Sequence, residues 1–245
     1  MSESVSHVVR LNQVNFHWSK SLKAVIDIPE FSMRRGESVF LQGASGSGKT
    51  TLLSLIAAVL QPQSGQVSVD GVELGTLRGG QRDQFRVDRI GLVFQQFNLL
   101  PFLSVSENIQ LPCRFSKLRR SQAVHAGKSI DEETDRLLSA MHLSPSDIKN
   151  RKVTDLSVGQ QQRVAVARAL IGRPKLIIAD EPTSALDSDT RQAFLQLLFS
   201  EVHAAGCTLL FVSHDATLGS MFDRSVNLKD INLAANNSDM LGATG

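Results

Sequence analysis

The sequence predicts an α/β fold: a parallel sheet covered on both faces by helices, preceded by an antiparallel β part and interrupted by a helical insertion. Three observations predict it. KLIIAD (175–180) and CTLLFVSHD (207–215) are near-continuous apolar runs separated by the helical TRQAFLQLLFSEVHAAG, and strands buried on both faces read as unbroken apolar runs. GASGSGKT (43–50) stands between a strand pattern and a helix pattern, the context of a phosphate-binding loop. From about 97 to 167 the texture becomes helical.

The elements follow in order. HVVRLNQVNFHW, AVIDI and ESVFLQ read as short strands, the last running into the glycine loop. TTLLSLIAAVL reads as a helix that stops at Gln61-Pro62, since proline removes a helical N–H. QVSVDGVEL reads as a hairpin around Asp70-Gly71. RIGLVFQQ reads as a buried strand, and DEETDRLLSAMHL as a helix with an acidic first turn. VGQQQRVAVARALI is a helix ending at Gly172, with Pro174 beyond it. The last ten residues, NNSDMLGATG, look frayed.

Composition bounds the function. The 245 residues, 42% of them hydrophobic, are enough for a sizeable core. A net charge of +2 gives no push toward nucleic acid, and KLRR (117–120) with Arg78, Arg82, Arg86 and Arg89 reads as solvated faces. Cys113 and Cys207 fit no metal-ligand spacing and suggest a reducing compartment. MSESVSHVVR lacks the apolar core of a signal peptide, and LLSLIAAVL is too short to span a bilayer. The expectation is a soluble protein whose membrane role, if it has one, comes through a partner.

Two stretches are built for anions. In the first, Gly43, Ala44, Ser45, Gly46, Ser47, Gly48, Lys49, Thr50 and Thr51 form the phosphate loop and the start of its helix. Its glycines let backbone N–H groups curl around phosphates, Lys49 meets the β and γ oxygens, and Thr50 ligates Mg²⁺. In the second, Ser157 followed three residues later by Gln160 matches a capping box. The helix start there presents free N–H groups and the positive end of a dipole. LIIADE places Asp180 and Glu181 at the C-terminal end of a buried strand, where ligands sit in open α/β sheets. Asp180 can hold Mg²⁺ through water, and Glu181 can orient or deprotonate an attacking water.

Together these motifs resemble the ATP-binding-cassette (ABC) ATPases over nearly the full chain, and LSVGQ (156–160) is similar to their signature LSGGQ. The resemblance implies a P-loop NTPase (RecA-like) core from 1–95 and 168–245, with a helical subdomain at 96–167. It also implies head-to-tail pairing of two copies, so that Ser157, Gly159 and Gln160 close on the γ-phosphate of the other copy's ATP. Gln95 (or its neighbour Gln96) resembles the glutamine that links Mg²⁺ and the attacking water to a transmembrane partner. SALD (184–187), with Asp187, resembles the D-loop, and His214 the switch histidine at the γ-phosphate. Trp18 stands where the family has an aromatic that stacks on adenine, core packing being the alternative. Val158 departs from the signature; a valine at the first helical position is tolerated, unless it faces the partner's nucleotide.

VFQQFNLLPFLSVSENI (93–109) is similar to the corresponding segment of ATPases of lipoprotein release, macrolide export and related cell-division complexes. Phe97, Leu99, Leu100, Phe102 and Leu103 form either a socket for a permease's coupling helix or the small core of the helical subdomain. That subgroup usually has GNLD where this chain has SALD. The expected function is ATP hydrolysis, with ATP and Mg²⁺, driving a permease from the cytoplasmic face of the membrane. Export is expected; force relay without transport, import, and a soluble ATPase acting on nucleic acid or ribosomes are the alternatives. Because the sequence ends soon after the His214 strand, the regulatory domain common in sugar-import ATPases is not expected.

Overall fold

A computed structural model describes residues 6–18, 23–125, 129–184 and 186–234. The frayed tail expected at 236–245 and Ala185 of SALD lie outside the described residues. The chain divides into two units, residues 1–86 with 210–245, and residues 87–209.

The first unit begins with β1 (His7–Phe16) and β2 (Ile26–Arg34), whose registered pairs include Leu11 with Phe31 and Val14 with Ile28. Val9, Leu11, Val14, Ile26 and Ile28 are buried, the alternation of a sheet with one face on a core. β3 (Ser38–Gln42) enters the glycine loop and α1 (Lys49–Ile56) leaves it. β4 (Ser64–Val69) and β5 (Val72–Glu73) form the hairpin expected around Asp70-Gly71, and both turn residues take positive φ. The antiparallel sheet runs in the order β2-β1-β4-β5.

Two features correct the sequence reading here. The helix after the glycine loop ends at Ile56, well short of Pro62, because Ala58 turns left-handed (φ 57°). The Val59 and Leu60 N–H groups then bond back to the Ser54 carbonyl. The stretch carrying Arg82, Arg86 and Arg89 is a helix, α2 (Gly80–Arg89), anchored by buried Phe85. Arg86 is half-buried on it and donates to the Ala58 carbonyl.

In the second unit β6 (Ile90–Val93) pairs in parallel with β7 (Leu176–Asp180). Between them in sequence lie α3 (Val105–Phe115), α4 (Lys117–Ala123), α5 (Ile130–Ala140), α6 (Pro145–Ile148) and α7 (Val158–Leu170). α3 and α5 each start with a full capping box, Ser104 with Glu107 and Ser129 with Glu132. α7 packs against α3, α5 and β6. α8 (Ser188–Ala204) follows β7 and leads to β8 (Thr208–Val212), every residue of which is buried.

KLRR is not a solvated face throughout. Arg119 is 2% exposed and donates through Nε to the Ile171 carbonyl at 2.8 Å, with Nη2 reaching the Ala169 and Ile171 carbonyls. These are acceptors that the end of α7 leaves without helical partners. Gly172 (φ 69°) lies against the Arg119 backbone, where an added Cβ would come within 2.4 Å of the Arg119 carbonyl oxygen. Both glycine's conformation and its lack of a side chain are required there.

The division between units falls inside β8. Leu210–Val212 belong to the first unit, with β3 and β9 (Arg224–Asn227), and β9 pairs in parallel with β3. The strand order of this second sheet is β6-β7-β8-β3-β9. In the first unit Phe40 of β3 stacks with Phe211 of β8 and meets Phe222 of the turn before β9. A short final helix, α9 (Leu228–Ile231), follows β9.

Candidate functional site

The phosphate loop lies in the first unit. Gly46 (φ 77°) and Gly48 (φ 100°) take left-handed backbones, and Gly48 caps α1 without any side-chain bond to the helix N–H groups. No acidic side chain sits in the first turn of α1, so the positive helix end is left for an outside anion. A Cβ at Gly48 would lie 3.1 Å from both Ile26 Cδ1 and the Val25 carbonyl oxygen, and one at Gly43 would lie 2.7 Å from Ser47 Oγ. Lys49 Nζ arches across the loop and donates to the Gly43 carbonyl at 2.7 Å and the Ala44 carbonyl at 3.0 Å. Ser47 Oγ is buried with no hydrogen-bond partner. A buried hydroxyl, a lysine head and uncapped N–H groups around one glycine turn are the donors a polyphosphate takes up. Thr50 is exposed at the start of α1, while Thr51 is buried.

His214 belongs to the same unit. Its predecessor Ser213 donates its N–H to the Leu41 carbonyl at 3.3 Å, so the chain leaves β8 beside the end of β3, the strand that feeds the phosphate loop. His214 is exposed there, and Asp215 folds the following turn by accepting from Thr217 N–H. Trp18 is 52% exposed and touches Phe16 edge to face at 5.1 Å. It is therefore not a core residue. The Gln63 side chain exchanges two hydrogen bonds with the His17 backbone (2.8 and 2.9 Å), which fixes where β1 delivers the indole.

The second unit carries the remaining residues. Ser157 caps α7: Gln160 N–H donates to Ser157 Oγ at 3.3 Å, and Ser157 N–H donates to Gln160 Oε1 at 2.9 Å. Val158 is 52% exposed, and a Cβ at Gly159 would meet nothing within 4 Å. The start of α7 is thus open to solvent across Ser157, Val158 and Gly159. Asp180 closes β7, and Glu181 follows it in a left-handed conformation (φ 48°). Asp187 caps α8 by accepting from Thr190 N–H at 2.9 Å. Gln95 and Gln96 are both exposed after β6, and Phe97 (φ 58°) and Asn98 (φ 47°) then turn left-handed.

Of the apolar group after Gln95, Phe97 is buried, Leu99, Leu100 and Leu103 are half-buried, and Phe102 is 73% exposed. The segment thus divides between a core role and an outward one. Asn108, fully buried on α3, shapes it: its Nδ2 donates to the Leu100, Leu103 and Ser104 carbonyls, and its Oδ1 accepts from Leu100 N–H. Sequence reasoning missed Asn108, Gln162 and Arg168. Gln162 Nε2 donates to the Pro182 carbonyl, and the Arg168 guanidinium forks onto the Phe97 and Asn98 carbonyls. The only available signal was polar residues at positions of otherwise apolar helices.

The metal donors expected on the chain, Thr50, Gln95 and Asp180, are hard oxygens. Among the described residues no group of three or more His, Cys, Asp or Glu could hold a metal. A donor set of one hydroxyl, one amide and one carboxylate suits Mg²⁺, which is commonly held by one or two protein groups together with phosphates and water.

Residues 26–184, more than half of the chain, match the family model described as ABC transporter. The chain is 39% identical over 201 residues to an uncharacterized ABC transporter ATP-binding protein of Methanocaldococcus jannaschii, covering 81% of this chain and 83% of that protein. It is 37% identical to the lipoprotein-releasing system ATP-binding protein LolD of Porphyromonas gingivalis, covering 82% and 88%. It is also 37% identical to the macrolide export ATP-binding/permease protein MacB of Vibrio parahaemolyticus, of whose length it covers 30%. The dimeric structure of a post-hydrolysis state of the ATP-binding cassette MJ0796, bound to ADP and Pi, superposes with a TM-score of 0.76 at 35% identity, covering 91% of this chain and 94% of that one.

Proposed function

We propose, from the premise that this chain belongs to the ABC transporter family as an ATP-hydrolysing cassette, that it is the nucleotide-binding subunit of an export-type membrane complex. Two copies pair head to tail and sandwich two ATP molecules, each between the phosphate loop of one copy and the signature helix of the other. Closure and reopening move a permease from the cytoplasmic face. No helix among the described residues is long and apolar enough to cross a membrane; in this reading the cargo path belongs to the permease. Residues 96–167 are the helical subdomain in this reading, and Phe102 faces the permease.

One observation carries the proposal. The chain builds a full capping box at Ser157 and leaves that helix start open, although its phosphate loop already supplies a complete polyphosphate cradle. A second exposed anion site fits a nucleotide brought by another copy. The relatives named for lipoprotein release and macrolide export support the export direction.

The chemistry is in-line attack of water on the γ-phosphate. Lys49 binds the β and γ oxygens, Glu181 orients the water and accepts its proton, and His214 of the same copy together with Ser157 of the partner subunit donates to the γ oxygens. Trp18 stacks on the adenine and Asp187 lies at the dimer interface. Thr50, Gln95 and Asp180 would hold Mg²⁺, which when bound offsets the charge on the phosphates. Catalysis by these groups is positioning and electrostatics.

The test uses Glu181→Gln, which binds ATP without hydrolysing it. With Mg-ATP its mass by light scattering should double. Solubilised from host membranes in mild detergent, it should bring down a permease with few spans and a large extracytoplasmic domain. A many-span permease with a binding protein would move the reading to import. Ribosomes or nucleic acid, with no membrane protein, would sink the transporter assignment.

A further inference from the structure

Besides carrying the signature, α7 sends two side chains to the loops that follow β7 and β6. Gln162, 1% exposed, donates from Nε2 to the Pro182 carbonyl at 2.6 Å. Pro182 directly follows Glu181, which sits in the left-handed region. Six residues further on, Arg168 donates from Nη1 to the Asn98 carbonyl and from Nη2 to the Phe97 carbonyl, each at 2.6 Å. Those two residues are also left-handed and begin two positions after Gln95. The Arg168 tie falls on, and the Gln162 tie falls directly after, backbone conformations that a non-glycine residue keeps only when its surroundings hold it.

The placement on the helix is specific. Ser157, Gln162 and Arg168 span about 16 Å of a helix rising about 1.5 Å per residue. The six-residue step from Gln162 to Arg168 rotates their side chains apart by about 120°, so one helix addresses two separate loops. These loops leave the ends of β6 and β7, which are adjacent and parallel, and α7 packs on β6. Arg168 is half-buried, and that burial pulls its pKa below the ordinary arginine value. A half-buried guanidinium that forks onto two carbonyls is a fixed joint rather than a surface decoration.

We propose that α7 is a positioning bar between the two nucleotide sites of the dimer: Gln162 and Arg168 hold the Glu181 and Gln95 loops at fixed distances from Ser157. Seating the second copy's γ-phosphate on Ser157 then sets Glu181 and Gln95 for this copy's own ATP. The inference rests on the head-to-tail reading above. Gln162 and Arg168 are positioning residues and touch neither nucleotide nor water.

The test uses the full chain with Gln162→Met, which keeps the volume and loses the donor, and Arg168→Lys, which keeps the charge and loses the fork. Steady-state ATPase is measured against ATP concentration, and thermal melts check that each variant is folded. In each variant kcat falls tenfold to a hundredfold, the scale of a misplaced catalytic group, while half-saturating ATP stays within about twofold. In a Glu181→Gln background each variant still dimerises with Mg-ATP at the parent's midpoint, because the nucleotide-binding surfaces are intact. Unchanged kcat in a folded variant overturns the proposal. So does a kcat loss matched by an equal loss of ATP affinity or of dimerisation, which marks a tie that only stabilises the fold. A parent Glu181→Gln that stays monomeric is a different failure: it removes the dimer reading and the communication built on it, whatever the variants do.

Discussion

Gly159→Ala separates what the signature does for its own chain from what it does for a second copy. Gly159 is the second residue of α7, and a methyl group there would meet nothing within 4 Å. Its φ lies outside the left-handed region that favours glycine. Replacing glycine by alanine at such a position stabilises a protein by about 0.4–1 kcal/mol, chiefly by restricting the unfolded chain. For a chain of this size that raises Tm by about 1–4 °C. In the head-to-tail dimer proposed above, the same methyl would stand where the γ-phosphate approaches the α7 N–H groups, so kcat/KM for ATP should fall at least tenfold. Differential scanning fluorimetry and a coupled ATPase assay on the same preparation read both numbers. A lower Tm would refute the local argument. A higher Tm with unchanged ATPase would refute the claim that this glycine serves the partner's nucleotide.

Two further predictions concern stability. Arg119→Met strands the Ala169 and Ile171 carbonyls at the end of α7; at about 1–3 kcal/mol for each buried unsatisfied group, urea unfolding should show a loss of about 2–6 kcal/mol, and a loss under about 1 kcal/mol would refute the capping role. Burial pushes the Cys207 thiol up to about 11 from its ordinary 9.0. Its contribution is therefore full below about pH 9 and lost as pH rises through about 11, so Cys207→Ser should flatten the alkaline fall in Tm, and in the native wild-type chain neither Cys207 nor Cys113, both buried, should be alkylated at pH 8.

The parts legible in the sequence were those written in a local code. The phosphate loop needs glycines at fixed offsets, the capping box needs serine and glutamine three apart, and the buried strands need unbroken apolar runs. Each was found where its motif stood. α2 escaped because Phe85 is its only buried residue, too little for a 3.6-residue period to appear. β9 escaped for a similar reason: RSVN has one apolar residue, and its place comes from pairing with β3.

The arginines and Gln162 mark a deeper limit. Arg119, Arg120, Arg163 and Arg168 look alike in sequence, yet Arg119 is fully enclosed by the carbonyls at the end of α7 and Arg120 is exposed. What distinguishes them is where unsatisfied carbonyls end up: at a helix terminus for Arg119, at two left-handed residues for Arg168. Such acceptors exist only after the chain has folded, because helix ends and left-handed turns are what leave carbonyls without a backbone partner. A sequence motif can therefore name the groups that touch ATP, whereas the residues that hold those groups are named by the carbonyls they satisfy. Gln162 shows this most clearly. It is the third glutamine of an unbroken QQQ, whose first member caps α7, whose second bonds the Leu156 carbonyl, and whose third alone reaches the strand end that carries Glu181.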